Sequence, residues 1–247
     1  MGKVRVRFLG SGDAFGSGGR FQTCIHVEAE SSRFLLDCGA SSLVAMNRFG
    51  VDPSSIEVVF ISHLHGDHFG GIPFLILDGQ FSHRTKPLYI FGPPGIEKRT
   101  RGAMEILFPG SSEIQQRFTL KFIELADGQR QEHAGLAVSA YSVAHASGAP
   151  SYALRIDAAG KIIAYSGDTE WTDALISAAR GADLFICEAY FFEKRIKYHL
   201  DYRTLAHHRS ELECQRIVLT HMSEEMLDRR SEVDFECAED GKQILLQ

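Results

Sequence analysis

The stretch that decides the interpretation is Ile61-Ser-His63-Leu-His65-Gly-Asp67-His68-Phe-Gly-Gly71. It follows an apolar run typical of a buried strand, and its glycines favour a turn into a helix. In extended backbone His63 and His65 point the same way, because side chains two positions apart share a face. Asp67 and His68 follow Gly66, where the chain can bend toward a second metal ion. Imidazole and carboxylate donors without a thiolate suit zinc, and also manganese or iron.

The bulk properties describe an ordinary globular chain. Its 247 residues are 44% hydrophobic and 23% charged, which is enough for one large domain with a full core, so we interpret residues 1–247 as a single domain. The five cysteines are scattered without a CxxC pair, which predicts reduced thiols. No run approaches the roughly 20 apolar residues of a membrane span. Charges interrupt any apolar signal sequence at the start, so we expect a cytoplasmic protein.

Short strand-like runs alternate with helical segments along the chain, which predicts two sheets packed face to face with helices outside, an α/β fold. Helices are predicted at 41–49, 172–179, 202–213 and 224–229. Strands are predicted at 4–9, 21–28, 33–37, 57–61, 87–91, 136–143, 151–156, 161–165, 182–187, 216–219 and 242–246.

The His-x-His-x-Asp-His pattern resembles the signature of the metallo-β-lactamase superfamily, whose fold is a four-layered αββα sandwich. The resemblance spans the chain from Phe8 to His221 and implies three further ligands at later strand ends. His145 in Val-Ala-His, Asp168 in Ser-Gly-Asp-Thr and His221 in Leu-Thr-His occur in the required order. The family pattern implies two divalent ions, with Asp168 between them. The expected ligand sets are His63, His65 and His145 for one ion, and Asp67, His68 and His221 for the other.

Several segments are similar to the ribonuclease Z branch of that superfamily, including 8–16, 92–95, 150–155 and 166–169. In that branch a histidine oriented by a glutamate faces the scissile phosphate, and His199 and Glu188 resemble this pair. Cleavage of a phosphodiester expels an alkoxide of high pKa, which needs a proton donor. An imidazolium can donate near neutral pH, and a carboxylate can fix its tautomer and raise its pKa. The alternative for His199 is a surface histidine at a helix start.

Other residues carry weaker signals. Asp37 resembles an early family aspartate that braces the site from behind the ligands, and a turn residue is the equal alternative. The aromatic run 190–192 could stack on a base, although core packing is favoured. His207 and His208 are expected on a solvated helix face. The basic run 194–197 is interpreted as solvated, with phosphate binding as its rival.

The sequence departs from tRNA-processing enzymes in one respect. Those relatives carry a long tRNA-gripping arm between the third and fourth metal motifs, whereas here only 22 residues separate His145 from Asp168. Residues 150–165 look like one strand pair, which leaves no room for the arm. A net charge of −6 also argues against a broad basic surface.

We therefore expect a binuclear metal hydrolase, most simply a phosphodiesterase that acts on a small nucleotide or cyclic phosphodiester through a metal-bound hydroxide. Zinc is the first expectation for both ions. Asp67 would orient the hydroxide as well as ligate, and His199, held by Glu188, would protonate the leaving oxygen. Rival functions are tRNA 3′ processing, hydrolysis of a lactone, β-lactam or thioester, and a sensing or di-iron redox role. A membrane is not an expected partner, extended tRNA binding is disfavoured, and a homodimer is left open.

Overall fold

Two seven-stranded sheets face each other in the computed structural model, which describes residues 2–30 and 32–247. The first sheet has the strand order β14-β1-β2-β3-β4-β5-β6, and the second has the order β13-β12-β11-β10-β9-β8-β7. In chain order the strands are β1 Val4–Gly10, β2 Cys24–Ala29, β3 Ser32–Leu36, β4 Val58–Phe60, β5 Leu88–Gly92, β6 Leu120–Glu124, β7 Arg130–His133, β8 Leu136–Val143, β9 Ser151–Ala158, β10 Lys161–Tyr165, β11 Leu184–Glu188, β12 Ile217–Thr220, β13 Glu236–Cys237 and β14 Gln243–Leu246.

Helices cover the outer face of each sheet. They are α1 Ser42–Arg48, α2 Gly66–Phe69, α3 Ile72–Phe81, α4 Ile96–Leu107, α5 Ala174–Ala179, α6 Tyr202–His207 and α7 Glu224–Asp228. Among the described residues, no helix combines the length and the hydropathy needed to cross a membrane.

Three apolar clusters correspond to the three interfaces between four layers. The central cluster lies between the sheets and includes Val6 of β1 and Ile186 of β11. A second cluster packs the first sheet against α1, α3 and α4, and a third packs the second sheet against α5, α6 and α7. In β1 the valines alternate with the exposed Arg5, because successive side chains point to opposite faces of a strand. The αββα sandwich predicted above is confirmed.

The strand directions bring the chemistry to one edge of both sheets. Strands β3 to β6 run parallel to one another, and so do β10, β11 and β12. Strand β8 runs the same way as β10, because both are antiparallel to β9. The carboxyl ends of β8, β10, β11 and β12 therefore lie at one edge of the second sheet. The carboxyl end of β4 in the first sheet meets them, because the rings of His63 after β4 and His145 after β8 have centroids 4.6 Å apart. In open parallel sheets this is the side where ligands bind.

Most predicted elements occur, with a few differences in extent. The segment 150–165 is the antiparallel pair β9–β10, and β14 returns to pair with β1 at the sheet edge. Helix α6 ends at His207 and is followed by a separate 3-10 turn, Arg209–Glu211, so the predicted helix to residue 213 is too long. A single domain over residues 1–247 stays a prediction.

Candidate metal centre

The motif after β4 enters the centre through a short loop and the first turn of α2. His63 and His68 are fully buried, Asp67 is buried and His65 is partly exposed. Helix α2 begins at Gly66, so the chain turns between the two pairs of donors as the sequence predicted. The four side chains therefore face one another across the turn.

The first group of donors joins the two sheets. The ring atoms of His63, His65 and His145 that could bind a metal all lie within 4.8 Å of one another. Nε2 of His145 is 3.0 Å from Nδ1 of His65, and the His63 and His145 ring centroids are 4.6 Å apart. His145 follows β8, so this group draws two members from the first sheet and one from the second.

The second group is buried and contains the carboxylates. Asp67, His68, Asp168 and His221 form it, also within 4.8 Å. Nε2 of His221 lies 3.2 Å from Oδ2 of Asp67 and 3.4 Å from Oδ2 of Asp168. Nε2 of His68 lies 3.3 Å from Oδ1 of Asp168, whose Oδ2 is 3.9 Å from Nε2 of His63. Asp168 thus stands between the two groups, and all seven sequence-predicted ligands lie together.

A backing layer fixes which ring nitrogen faces the centre for three of the histidines, His68, His145 and His63. Nδ1 of His68 donates to Oδ2 of Asp37 (2.7 Å), which also accepts from the Tyr165 hydroxyl (2.8 Å). Nδ1 of His145 donates to the carbonyl oxygen of Tyr198 (2.9 Å). With Nδ1 occupied as a donor, Nε2 keeps its lone pair for a metal. Asp37 therefore braces the site, as its resemblance to the family aspartate implied.

The same logic applies to His63. The Ser62 hydroxyl donates to Oδ2 of Asp37 (2.8 Å) and so can accept from Nδ1 of His63 at 3.0 Å. Nε2 of His63, Oδ1 of Asp168 and Nδ1 of His221 are buried without a hydrogen-bond partner. A buried polar atom without a partner costs free energy. A metal ion would satisfy the two of these atoms that point into the donor groups, Nε2 of His63 and Oδ1 of Asp168. The residues fit a divalent metal site, with a donor set suited to zinc, manganese or iron.

The protonation of the donors follows from burial and from the carboxylates. Burial lowers the pKa of His63 and of His145. Burial alone would also lower the pKa of His221, but Asp168 and Asp67 outweigh it and raise the pKa to about 9. His68 shows the same balance, and its pKa is raised well above the ordinary value. Metal binding must displace these protons, so the affinity for metal falls as pH falls.

His199 and Glu188 form a hydrogen-bonded pair at the rim of the centre. Oε2 of Glu188, at the buried end of β11, accepts from Nδ1 of His199 at 3.0 Å, while Oε1 accepts from the Thr169 amide. The His199 side chain is 21% exposed, and its ring centroid is 5.1 Å from that of His145. Burial alone would lower the pKa of His199, but the hydrogen bond and charge of Glu188 outweigh it and raise the pKa.

The remaining candidates divide between the core and the rim. Phe192 is buried in the core, whereas Tyr190 is half-buried with its ring centroid 4.8 Å from that of His199. His208, predicted to be solvated, is only partly so, because its side chain is 25% exposed and its ring stacks on Trp171 with centroids 3.9 Å apart. Sequence reasoning missed the role of Tyr198, which rests on its backbone carbonyl and leaves no side-chain signal.

Comparison with known proteins bears on the family and the fold of this chain. A family model described as "Anti-Pycsar protein Apyc1" matches residues 4–242. A ribonuclease Z of Methanosarcina acetivorans is 27% identical, over 91% of this chain and 89% of the relative. Among solved structures, human tRNase Z, short form, superposes with a TM-score of 0.78 at 24% identity, covering 97% of this chain and 98% of that one. The metallo-β-lactamase fold protein YhfI from Bacillus subtilis superposes with a TM-score of 0.81 at 19% identity over the full length of both chains.

The superpositions show the metallo-β-lactamase fold. The sequence relatives and the donor groups support a metal-dependent hydrolase on that fold. The chain is a ribonuclease Z-like member of that superfamily, and with 239 of its positions inside the matched range 4–242 it belongs to the Anti-Pycsar protein Apyc1 family.

Proposed function

We propose that the protein is a phosphodiesterase that hydrolyses a small nucleotide or cyclic phosphodiester. The observation that carries the proposal is the Glu188–His199 pair beside the two donor groups. A hydrolase of lactones or β-lactams has less need of a separate imidazolium donor, whereas the alkoxide expelled from a phosphodiester needs a proton.

The metal ions would be held by His63, His65 and His145 on one side and by Asp67, His68 and His221 on the other, with Asp168 between them. When bound, they would lower the pKa of a water molecule and offset the negative charge on the phosphoryl oxygens.

The side chains of Asp67, His199 and Glu188 would orient the water and supply the proton. Asp67 would orient the attacking water, so that a bond forms between its oxygen and phosphorus in line with the leaving oxygen. As the bond from phosphorus to the leaving oxygen breaks, Nε2 of His199 would donate its proton to that oxygen. Glu188 would hold Nδ1–H of the same ring and stabilise the imidazolium before transfer.

The surroundings favour a small substrate. Only the loop 144–150 and the β9–β10 pair lie between β8 and Asp168, so the described residues hold no arm at this point. The alignment with the Methanosarcina ribonuclease Z runs over 277 positions, more than the 247 residues of this chain, so the relative has residues without a counterpart here. The rival activity, tRNA 3′ processing, is favoured by the names of such relatives and is tested below.

The experiment compares Asp168→Ala with Asp157→Ala. Asp168 stands between the donor groups, so its loss should lower the content of bound metal and abolish hydrolysis of a chromogenic bis-aryl phosphodiester. Asp157 lies on β9 with its side chain 43% exposed and pairs with Arg130 at 3.7 Å, so its variant should keep both properties. Metal analysis and steady-state rates give the readouts, with a chromogenic β-lactam as the rival substrate.

Full activity of Asp168→Ala, or of protein stripped of metal, would contradict the binuclear assignment. Turnover of the β-lactam without turnover of the phosphodiester would favour the rival hydrolase instead.

A further inference from the structure

The loop between β1 and β2 displays an aromatic ring to solvent. This loop, residues 11–23, contains Phe15, whose side chain is 84% exposed. Burying a phenylalanine normally stabilises a fold, so a ring left this exposed contributes little to the core. Its position therefore calls for a different explanation.

The loop holds its shape without help from the Phe15 ring. Oδ1 of the buried Asp13 accepts from the amides of Phe15 (3.2 Å) and Ser17 (2.9 Å), and Oδ2 accepts from the Ser17 hydroxyl (2.7 Å). Gly16 and Gly18 have φ of 69° and 65°, which glycine adopts without strain. The backbone at Phe15 is thus fixed by a carboxylate and by glycine turns.

Two further carboxylates close the loop. Oδ1 of Asp240 accepts from the amide and hydroxyl of Ser11, both at 2.9 Å, and Oδ2 accepts from the Phe21 amide at 2.8 Å. Oε2 of Glu224 accepts from the Gly18 amide at 2.8 Å. The loop is therefore tied at both ends and in the middle, which presents Phe15 in a defined direction.

The base of the loop touches the metal centre. The amide of His221 donates to the carbonyl oxygen of Ser11 at 3.2 Å, and the Thr220 hydroxyl donates to the same oxygen at 3.3 Å. Phe15 follows Ser11 by four residues, a span of at most about 14 Å. The loop that carries the exposed ring therefore begins at a residue hydrogen-bonded to the backbone of His221, one of the donors of the centre.

We propose that Phe15 stacks on the base of a nucleotide substrate while the phosphodiester occupies the metal centre. This inference rests on the proposed phosphodiesterase function and adds a residue that would bind the base of a nucleotide substrate. Stacking of a base on an aromatic side chain tolerates any base, because every base has a π face. Phe15 then raises affinity for nucleotides without touching the reacting atoms.

The test separates the base from the phosphodiester. Phe15→Ala is assayed on 3′,5′-cyclic AMP and on the abasic analogue, methyl riboside 3′,5′-cyclic phosphate. We expect KM for cyclic AMP to rise about 5- to 150-fold, the range that loss of one stacked base represents. The analogue has no base to lose, so the rise should be confined to cyclic AMP. Phe15→Tyr retains a ring and should restore a KM close to that of the wild type.

The matched control is Phe81→Ala. Phe81 is 83% exposed at the end of α3, and the next residue, Ser82, contacts Ser54 ahead of β4, away from the carboxyl ends of the strands. Its variant should leave both KM values unchanged, and melting temperatures of all variants should agree because neither ring is packed.

Three outcomes decide the matter. Equal KM for cyclic AMP in the wild type and Phe15→Ala would overturn the role of Phe15 and leave the phosphodiesterase function standing. An equal rise on both substrates would also overturn it. A wild type that hydrolyses neither substrate with metal bound would overturn the phosphodiesterase function and with it this inference.

Discussion

At the scale of single residues, the distance of 3.0 Å between Nδ1 of His199 and Oε2 of Glu188 leaves Nε2 to meet a leaving group. Loss of a general acid typically costs about 10²- to 10⁴-fold in rate. We expect His199→Ala to lose that much on a dialkyl phosphodiester and less than about tenfold on a nitrophenyl phosphodiester, because nitrophenolate leaves without a proton.

This prediction has two controls. One is the metal content of the His199→Ala protein, and the other is the variant His207→Ala. His199 also lies within 4.8 Å of possible ligand atoms of His145 and Asp168. If His199 is the donor and not a ligand, its variant keeps its metal; the exposed His207 should affect neither property. Equal losses on the two substrates, or release of metal, would remove His199 from the role of acid.

A second residue-scale prediction concerns pH. The rate on a dialkyl phosphodiester should fall as pH rises through the pKa of His199, because the acid form exists only below it. Burial opposes the charged ring, and Glu188 outweighs burial, so that pKa lies above the ordinary histidine value. Glu188→Gln removes the negative charge and should move the descending limb of the pH profile to lower pH. An unmoved limb would assign it to another group.

At the scale of elements, the position of α2 depends on a glycine in the preceding segment. A Cβ placed on Gly39 would clash with the carbonyl oxygen of Asp67 and lie 2.8 Å from Cβ of Gln22. Since backbone cannot yield as a flexible side chain can, Gly39→Ala should displace Asp67. We expect a lower melting temperature, with a loss of about 1–3 kcal/mol in the free energy of unfolding, and a lower metal content.

Gly102→Ala is the matched control, because Gly102 is exposed within α4 and a Cβ there would meet nothing within 4 Å. Alanine in a helix interior is favoured over glycine by about 0.5–1 kcal/mol, so this variant should be slightly more stable with unchanged metal content. Thermal unfolding and metal analysis of the two variants check the prediction. A Gly39→Ala protein with the wild-type melting temperature would show that the turn adjusts freely.

The elements also show what a sequence pattern can reveal. The ligand motif could be predicted because four donors lie in one short turn. The later ligands could be predicted because each follows an apolar strand, as His221 follows β12. Strands β6 and β7 were missed: in β6, Leu-Lys-Phe-Ile-Glu, two adjacent apolar residues break the alternation of a half-buried strand, and β7, Arg-Gln-Glu-His, has no apolar residue. Strand β13 has two residues, too few for any period. The hydrogen bond from His145 to the Tyr198 carbonyl oxygen could not be predicted from the sequence, because only the whole fold brings these two segments together.

At the scale of the whole molecule, the centre lies where the two halves of the chain meet. One sheet supplies the motif 63–68 and the other supplies His145, Asp168 and His221, so neither sheet holds a complete set of donors. Strained backbone accompanies this meeting point. Asp37, Tyr198 and His221 have φ between 56° and 73°, values that non-glycine residues adopt at a cost of about 1–3 kcal/mol each. The surrounding packing thus sustains a geometry that serves the site.

The same molecule-wide view predicts poor processing of precursor tRNA. Phosphate contacts supply most non-specific affinity for nucleic acid and need clustered basic groups, whereas this chain has a net charge of −6 and only the β9–β10 pair where an arm would be inserted. The exposed Lys194 and Lys197 lie near His199 in sequence, but their ammonium groups sit over the rings of Phe191 and Tyr198, at 4.9 and 4.7 Å.

The assay compares cleavage of a precursor tRNA with that of small cyclic and linear phosphodiesters at matched salt, with the Methanosarcina ribonuclease Z as the positive control. We expect turnover of the small diesters and little trimming of the tRNA. Efficient, position-specific removal of the 3′ trailer at physiological ionic strength would show instead that a grip is supplied by another route, such as a second subunit. That result would replace the small-substrate assignment while leaving the fold and the donor groups as they are.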